Sequence, residues 1–296
     1  MSENKRLTRE DFSSIWKDNN NKLESGIELD LVEHLSRQRL IPEWIEAKKN
    51  VIQIMNIDQY DDSQEIHILD IGCGLGIDLL FVANEANRLN KRVSIVGLDQ
   101  NSKMIEEATK LYESQKERLS SNISIRIIRG DILQMEFADE TFDIIRSDIT
   151  LQHVDIPKAL IEIKRVLKPN GRLIALEGCM SNVFCSDEVV TKIYENILPS
   201  TKVAGPGVQI QFLLPTLNFE IKGLNPKALV QTGQILATQD KDWIKLRGLG
   251  EMFVTKKLLT EEESQDFQKR YIQACETNQI VSASILYIIE AVKQQQ

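Results

Sequence analysis

"ILDIGCGLGID", residues 68–78, decides how this chain is read. Gly72, Gly74 and Gly76 stand at alternate positions directly after a short apolar run that ends in Asp70. Glycine loses more conformational freedom on folding than any other residue, so three of them in five positions need a cause. The economical cause is a ligand that approaches the backbone too closely to tolerate a Cβ.

Working outward, the chain alternates between two periods. "IHILD" (66–70), "RVSIVGLD" (92–99), "NISIRIIRGD", "TFDIIRSD" and "RLIALEG" are strand-like runs. Between them lie "GIDLLFVANEANRL", "SKMIEEATKLYESQ" and "IPKALIEIKRVLK", each with helical spacing; the second places Met104, Ile105, Ala108, Leu111 and Tyr112 on one face. A turn, "KPNG", precedes "RLIALEG". Strands alternating with helices of this length predict a parallel sheet covered on both faces. The first sixty residues read as helices, and "VQIQFLLPTLNFEIKGLNPKALV" reads as a helix and then a strand. "LTEEESQDFQKRYIQACE" is a helix opened by a Thr260–Glu263 capping box, and "SASILYIIEAVK" (282–293) suits a last strand. The expected fold is therefore α/β, Rossmann-like and doubly wound, with a mostly parallel seven-stranded sheet. Its expected segments are an N-terminal helical cap (1–60), a core (61–229), a helical lid insertion (230–279), and a last strand with tail (280–296).

Two phosphate-binding explanations of the glycines fail on the letters. A dinucleotide fingerprint, G-x-G-x-x-G, needs glycine where Ile77 stands. A phosphate-cradling G-x-x-x-x-G-K-[ST] loop needs a lysine and a hydroxyl that do not follow. What remains is D-x-G-x-G-x-G between a strand and a helix, with Asp99 ending the second strand in "VGLDQNS". A carboxylate there accepts hydrogen bonds from both hydroxyls of a ribose. Asp131, in "RGDILQMEF" after the third strand, is placed to meet an adenine edge. Close-approach glycines, an acid for ribose, an acid for adenine and no phosphate grip describe a nucleoside without phosphates.

"ILDIGCGLG", "VGLDQNSKMI", "GDILQMEFADETFDII" and "LQHVDIPKALIEIKRVLKPNGRLIALE" together resemble the successive motifs of class I S-adenosylmethionine-dependent methyltransferases. The likeness is to the small-molecule branch that includes ubiquinone- and menaquinone-biosynthesis-type and natural-product methyltransferases, and it covers residues 66 to about 180. The resemblance implies S-adenosyl-L-methionine as methyl donor, S-adenosyl-L-homocysteine as product, and a small-molecule acceptor. It implies that Gly72, Cys73 and Gly74 line the methionine moiety through backbone contacts. Asp70 would orient the loop or hold the ligand's amino group, and a helix cap is its structural alternative. Asp99 would bind the ribose, with Gln100 beside the adenine. Asp131 and Ile132 would recognise the adenine edge and face, and Ser147 would offer backbone contacts near the amino acid end.

Methyl transfer from a sulfonium is an in-line displacement in which alignment supplies much of the acceleration. A base is needed only where the acceptor holds its proton at neutral pH. The candidates at the carboxyl ends of the strands are His153, Glu177 and, third, Asp148. Trp16 and Trp243 lie in segments expected to build the acceptor pocket, although each also reads as a core anchor. Gly248 and Gly250 would serve as a lid hinge. The alternatives in other functional classes are a catalytically silent cofactor-binding subunit and a nicotinamide-dependent oxidoreductase.

Composition bounds the partners. The 296 residues are 42% apolar and 27% charged, with a formal net charge of −8, which gives no electrostatic reason to expect nucleic acid or an anionic membrane. No run approaches the roughly 20 apolar residues of a membrane span, and the N-terminus has no secretory pattern. The four cysteines (Cys73, Cys179, Cys185, Cys275) have neither metal-ligand spacing nor a paired framework. A cytoplasmic, metal-independent monomer or homodimer is the expectation.

Overall fold

Asp70, Asp99 and Asp148 end three neighbouring parallel strands, and that placement organises everything around them. The computed structural model describes residues 32, 35, 36, 41–178, 182–197, 205–240 and 243–295. Strands β1 (Glu65–Ile71), β2 (Arg92–Asp99), β3 (Ile123–Arg129), β4 (Phe142–Asp148) and β5 (Leu167–Gly178) pair in parallel in the order β3-β2-β1-β4-β5. Strand β8 (Ile280–Lys293) runs antiparallel beside β5, and β6 (Asn182–Cys185) and β7 (Phe219–Thr232) both pair with β8. The sheet thus has eight strands where seven are expected; the addition is the four-residue β6.

The sheet is crossed by helices α1 (Pro42–Ile54), α2 (Ile77–Arg88), α3 (Ser102–Gln115) and α4 (Ile156–Val166). Two of them start at a side-chain cap. Asn101 caps α3 by accepting from the amides of Lys103 and Met104, and Asp155 caps α4 by accepting from that of Lys158. Helix α4 buries Ile156, Ala159, Leu160, Ile163 and Val166, an apolar stripe at helical spacing that packs with Leu69, Ile145 and Leu173 of the sheet. Helix α2 has no side-chain cap; it begins directly at Gly76, whose φ of 69° ends the glycine loop.

Turn chemistry corrects one expectation. "KPNG" is not a turn ahead of β5 but a bulge inside it: Phe142 pairs with Leu167 and Ile144 with Arg172, so Lys168–Gly171 stand opposite Asp143 alone. The excursion is held because Lys168 Nζ donates to both Asp143 oxygens at 2.9 and 2.8 Å, while Asp143 Oδ2 also accepts from the His67 amide. Asn170 takes the left-handed conformation (φ 62°) that the bend requires.

Two compact units divide the chain differently from the expected segments. The first comprises 46–178, 205–227 and 286–296: the parallel strands, α1 from Glu46 onward, α2–α4, and helix α6 (Pro206–Thr216). The second takes its described residues from 1–45, 179–204 and 228–285, that is, the first residues of α1 with β6, α5 (Glu188–Ile197), α7 (Gly233–Gln239), α8 (Ile244–Thr255) and α9 (Glu261–Glu276). Its core gathers Val190, Phe253, Phe267, Cys275 and Ile280. The Thr260–Glu263 capping box forms at the start of α9 as the letters indicate. Of the N-terminal helices, α1 is described; the segments before residue 41, Trp16 among them, lie outside the described residues apart from three isolated positions. Among the described residues no helix is long and apolar enough to cross a membrane.

Arg172 ties α1 to the sheet. It donates to the carbonyls of Ile54 and Met55, the end of α1, and pairs with Glu290 on β8 at 2.6 Å. These are charge-assisted bonds to otherwise unpaired helix-terminal carbonyls. Arg172→Met is expected to cost about 2 kcal/mol, the scale of hydrogen bonds to a charged group, read as a lower thermal midpoint. An unchanged midpoint would show that α1 docks by its apolar face alone.

Candidate functional site

The glycine loop is shaped by backbone angles that glycine tolerates. Gly72, Gly74 and Gly76 have φ of 67°, 50° and 69°. A Cβ on Gly72 would lie 2.1 Å from Thr150 Oγ1, and one on Gly76 would lie 2.9 Å from the Ala108 methyl. Two of the three glycines are thus required by protein packing as well as by any ligand. The Leu98 carbonyl accepts from the amides of Gly72 and Cys73, and Asp99 Oδ2 accepts from that of Gly74 at 2.9 Å. Asp99 Oδ1 accepts from the Asn101 amide at 2.9 Å, so one carboxylate fixes both the loop and the start of α3. Cys73 is buried, its sulfur against Gly97, and burial raises its thiol well above the ordinary range; it is a packing residue.

Beneath this loop lies a charge network the sequence reading did not anticipate. Arg146, in the middle of β4, is 1% exposed. It donates to Asp70 Oδ1 at 2.8 Å, to Asp78 Oδ2 at 3.0 Å and to Asp148 Oδ2 at 2.9 Å. Lys48 Nζ, from α1, donates to the same Asp78 oxygen at 2.6 Å and to the same Asp148 oxygen. Among the described residues three carboxylates thus face two cations. Asp70 Oδ2 is buried with no hydrogen-bond partner. Desolvation pushes the Asp70 carboxyl up to about 6 although Arg146 pulls it down. A signal for Arg146 existed: an arginine inside the apolar run "FDIIRSD" of a strand buried on both faces must be paired. For Asp78 the first-turn position offered only a helix-dipole reading, and for Lys48 there was no signal at all.

The turn after β4 faces the loop. Ile149 holds φ of 51°, a conformation rare for a β-branched residue. Its amide donates to the Leu176 carbonyl at 2.8 Å. Glu177, fully buried at the end of β5, accepts through one oxygen from the amides of Thr150 (3.0 Å) and Leu151 (2.8 Å) and from the Ser147 hydroxyl (3.1 Å). Its other oxygen is buried without a partner. Burial pushes the Glu177 carboxyl up to about 7 against those three donors. His153 closes the same turn, near the Gln152 amide at 3.2 Å, and burial lowers its imidazole to about 4.

The remaining sequence-predicted residues separate into two regions. Asp131 is exposed just after β3, its Oδ1 accepting from the Leu133 amide at 2.8 Å, with Ile132 buried beside it. The Gln100 carbonyl accepts from Arg129. Asp70, the glycines, Asp99, Gln100, Asp131, Ile132, Ser147, His153 and Glu177 therefore all lie at or just beyond the carboxyl ends of β1–β5, where ligands of open α/β sheets bind. Trp243 belongs to the second unit, where its ring meets Tyr271 edge-on at 6.4 Å and packs on the Phe253–Phe267 core.

Residues 62–204 match the family described as a methyltransferase domain. An O-methyltransferase of Aspergillus sclerotiorum is 28% identical over 207 residues, 64% of this chain and 74% of the relative. A sterol 24-C-methyltransferase of Aspergillus fumigatus is 35% identical over 121 residues, and a demethylmenaquinone methyltransferase of Lactiplantibacillus plantarum is 34% identical over 112 residues. The chain spans 30% of the sterol enzyme's length and 44% of the menaquinone enzyme's.

Glu177 generates a pH prediction. A carboxyl whose folded pKa is raised from 4.5 to about 7 binds more protons folded than unfolded, so stability falls as pH rises through that window. Glu177→Gln keeps the accepting oxygen and removes the ionisation. The variant should gain on the wild type by about 3 kcal/mol between pH 4.5 and 7, read by denaturant titration at several pH values. Parallel curves for the two proteins would mean that Glu177 titrates normally.

Proposed function

Residues 62–204 are a class I methyltransferase domain, and from that premise we propose that the chain transfers the methyl group of S-adenosyl-L-methionine to an oxygen, nitrogen or carbon nucleophile of a small organic molecule. The observation that carries this reading is the sign of the charge under the glycine loop. Among the described residues Asp70, Asp78 and Asp148 outnumber Arg146 and Lys48, and Asp70 Oδ2 is a buried acceptor without a donor. That set repels a pyrophosphate and suits a ligand bearing an ammonium and a sulfonium. It counts against the nicotinamide alternative independently of Ile77.

The residues divide the work by position. The Gly72–Gly74 backbone, with the acceptor Asp70 beneath it, is suited to the amino acid end of the donor. Asp99 is suited to the ribose hydroxyls, and Asp131 and Ile132 to the adenine. The donor supplies an activated methyl group: the acceptor's lone pair forms the new bond to carbon while the C–S pair returns to sulfur. The chain's part is to hold the two partners aligned and exclude water, a contribution on the order of 7–11 kcal/mol in well-aligned systems. His153, kept neutral at pH 7 by its burial, is in the form that accepts a proton from an acidic acceptor. Glu177, committed to the Thr150 and Leu151 amides, positions the turn that carries His153. Small-molecule acceptors are named for two of the relatives, a sterol and demethylmenaquinone. Trp243 is an aromatic support of the second unit's own core.

The test is calorimetric titration of S-adenosylhomocysteine, with NAD as the control. Wild type should bind the homocysteine product in the micromolar range, and Asp99→Asn should weaken it by about tenfold, roughly 1.4 kcal/mol. Preference for NAD, or the same affinity in both proteins, would overturn the assignment.

A further inference from the structure

We propose that Lys48 is a positioning residue for the methyl donor: from outside the matched domain it braces the start of α2 to the end of β4 and so sets the width of the cleft that takes the donor's amino acid end. The inference rests on the donor reading above and adds a residue to it.

The geometry is a closed box. Lys48 Nζ and one Arg146 nitrogen both donate to Asp78 Oδ2 and to Asp148 Oδ2. Asp78 sits in the first turn of α2, two residues after Gly76. Asp148 is the last residue of β4, immediately before the strained Ile149 and the Thr150 side chain that abuts Gly72. The box therefore links the two segments that form opposite sides of the candidate donor site. Arg146 alone does not suffice, because it already serves Asp70, and two aspartates converging on one nitrogen repel each other. The second cation completes the link.

Lys48 reaches this place at a cost. Its side chain is only 15% exposed, so a flexible chain is fixed and an ammonium largely dehydrated, which two close carboxylates repay. The helix that delivers it is held independently: Trp44, Ala47 and Val51 bury its apolar face, and Arg172 holds its last carbonyls. Removing the Lys48 amine therefore releases the brace without releasing α1. Lys48 touches the two aspartates rather than the ligand, so its effect is confined to the amino acid end; the nucleoside end rests on Asp99 and Asp131.

Two ligands separate this role from a general structural one: S-adenosylhomocysteine, and 5′-methylthioadenosine, which keeps the nucleoside and thioether but lacks the amino acid. Lys48→Met should weaken the first by about tenfold and leave the second within about twofold, and Lys48→Arg should restore the first. Hydrogen–deuterium exchange should quicken in 72–82 and 147–155 of Lys48→Met and not elsewhere in the sheet. Unchanged homocysteine affinity, equal loss for both ligands, or unchanged exchange in the two loops would overturn the brace. If the wild type binds neither ligand, the donor reading fails and the exchange data alone decide Lys48. Should Lys48→Met not fold, Lys48→Gln carries the same readouts.

Discussion

A guanidinium buried in the middle of β4 is the constraint on which the site depends. Arg146 has almost no access to water, so its charge must be answered inside the protein or the strand cannot form. It is answered by Asp70 at the end of β1, Asp78 at the start of α2 and Asp148 at the end of β4. These are the segments that enclose the glycine loop. Withdrawing one partner from such a buried set costs about 3–5 kcal/mol, because an uncompensated charge is left behind. Packing of the core and geometry of the site are therefore one requirement.

The same network gives the candidate site its acidic lining. Among the described residues its carboxylates exceed its cations by one, and Asp70 keeps an unpartnered oxygen there. On the opposite side, the turn after β4 is held rigid by protein groups: Glu177 takes two amides and a hydroxyl, and the Leu176 carbonyl takes the amide of Ile149. Backbone strain at Ile149 persists because these bonds over-determine it. A donor that arrives already activated requires little of a protein beyond such prepositioning.

The second unit is built on another principle. Its centre is aromatic: Phe253 meets Phe267 at 5.6 Å, and Tyr271 lies 6.2 Å from Tyr194 and 6.4 Å from Trp243. Tyr194 and Tyr271 are partly buried, and desolvation holds both phenols above their ordinary value. Trp243, with φ of 57° at the start of α8, is an anchor of this core. That is the reading its isolated position among polar residues had left open beside a ligand-lining one.

What the sequence by itself determined is the part written in local patterns. Period-two and period-3.6 runs identify β1–β5 and α2–α4, because burying one stripe or both faces dictates which positions are apolar. The order of Asp70, Gly72, Asp99 and Asp131 along the chain gathers them at the carboxyl edge of a parallel sheet, because each lies at or just beyond the end of a strand. The "KPNG" bulge and the four-residue β6 escaped that reading, since pairing across a sheet is decided by partners distant in sequence. Only the tertiary structure decided that Lys48, Asp78, Arg146 and Asp148 meet, that Gly72 makes room for Thr150, and that Glu177 holds a turn 26 residues before it. Charge compensation is satisfied in space and not along the chain, so a lysine on one helix and an arginine on a distant strand give no joint signal until the fold brings them together.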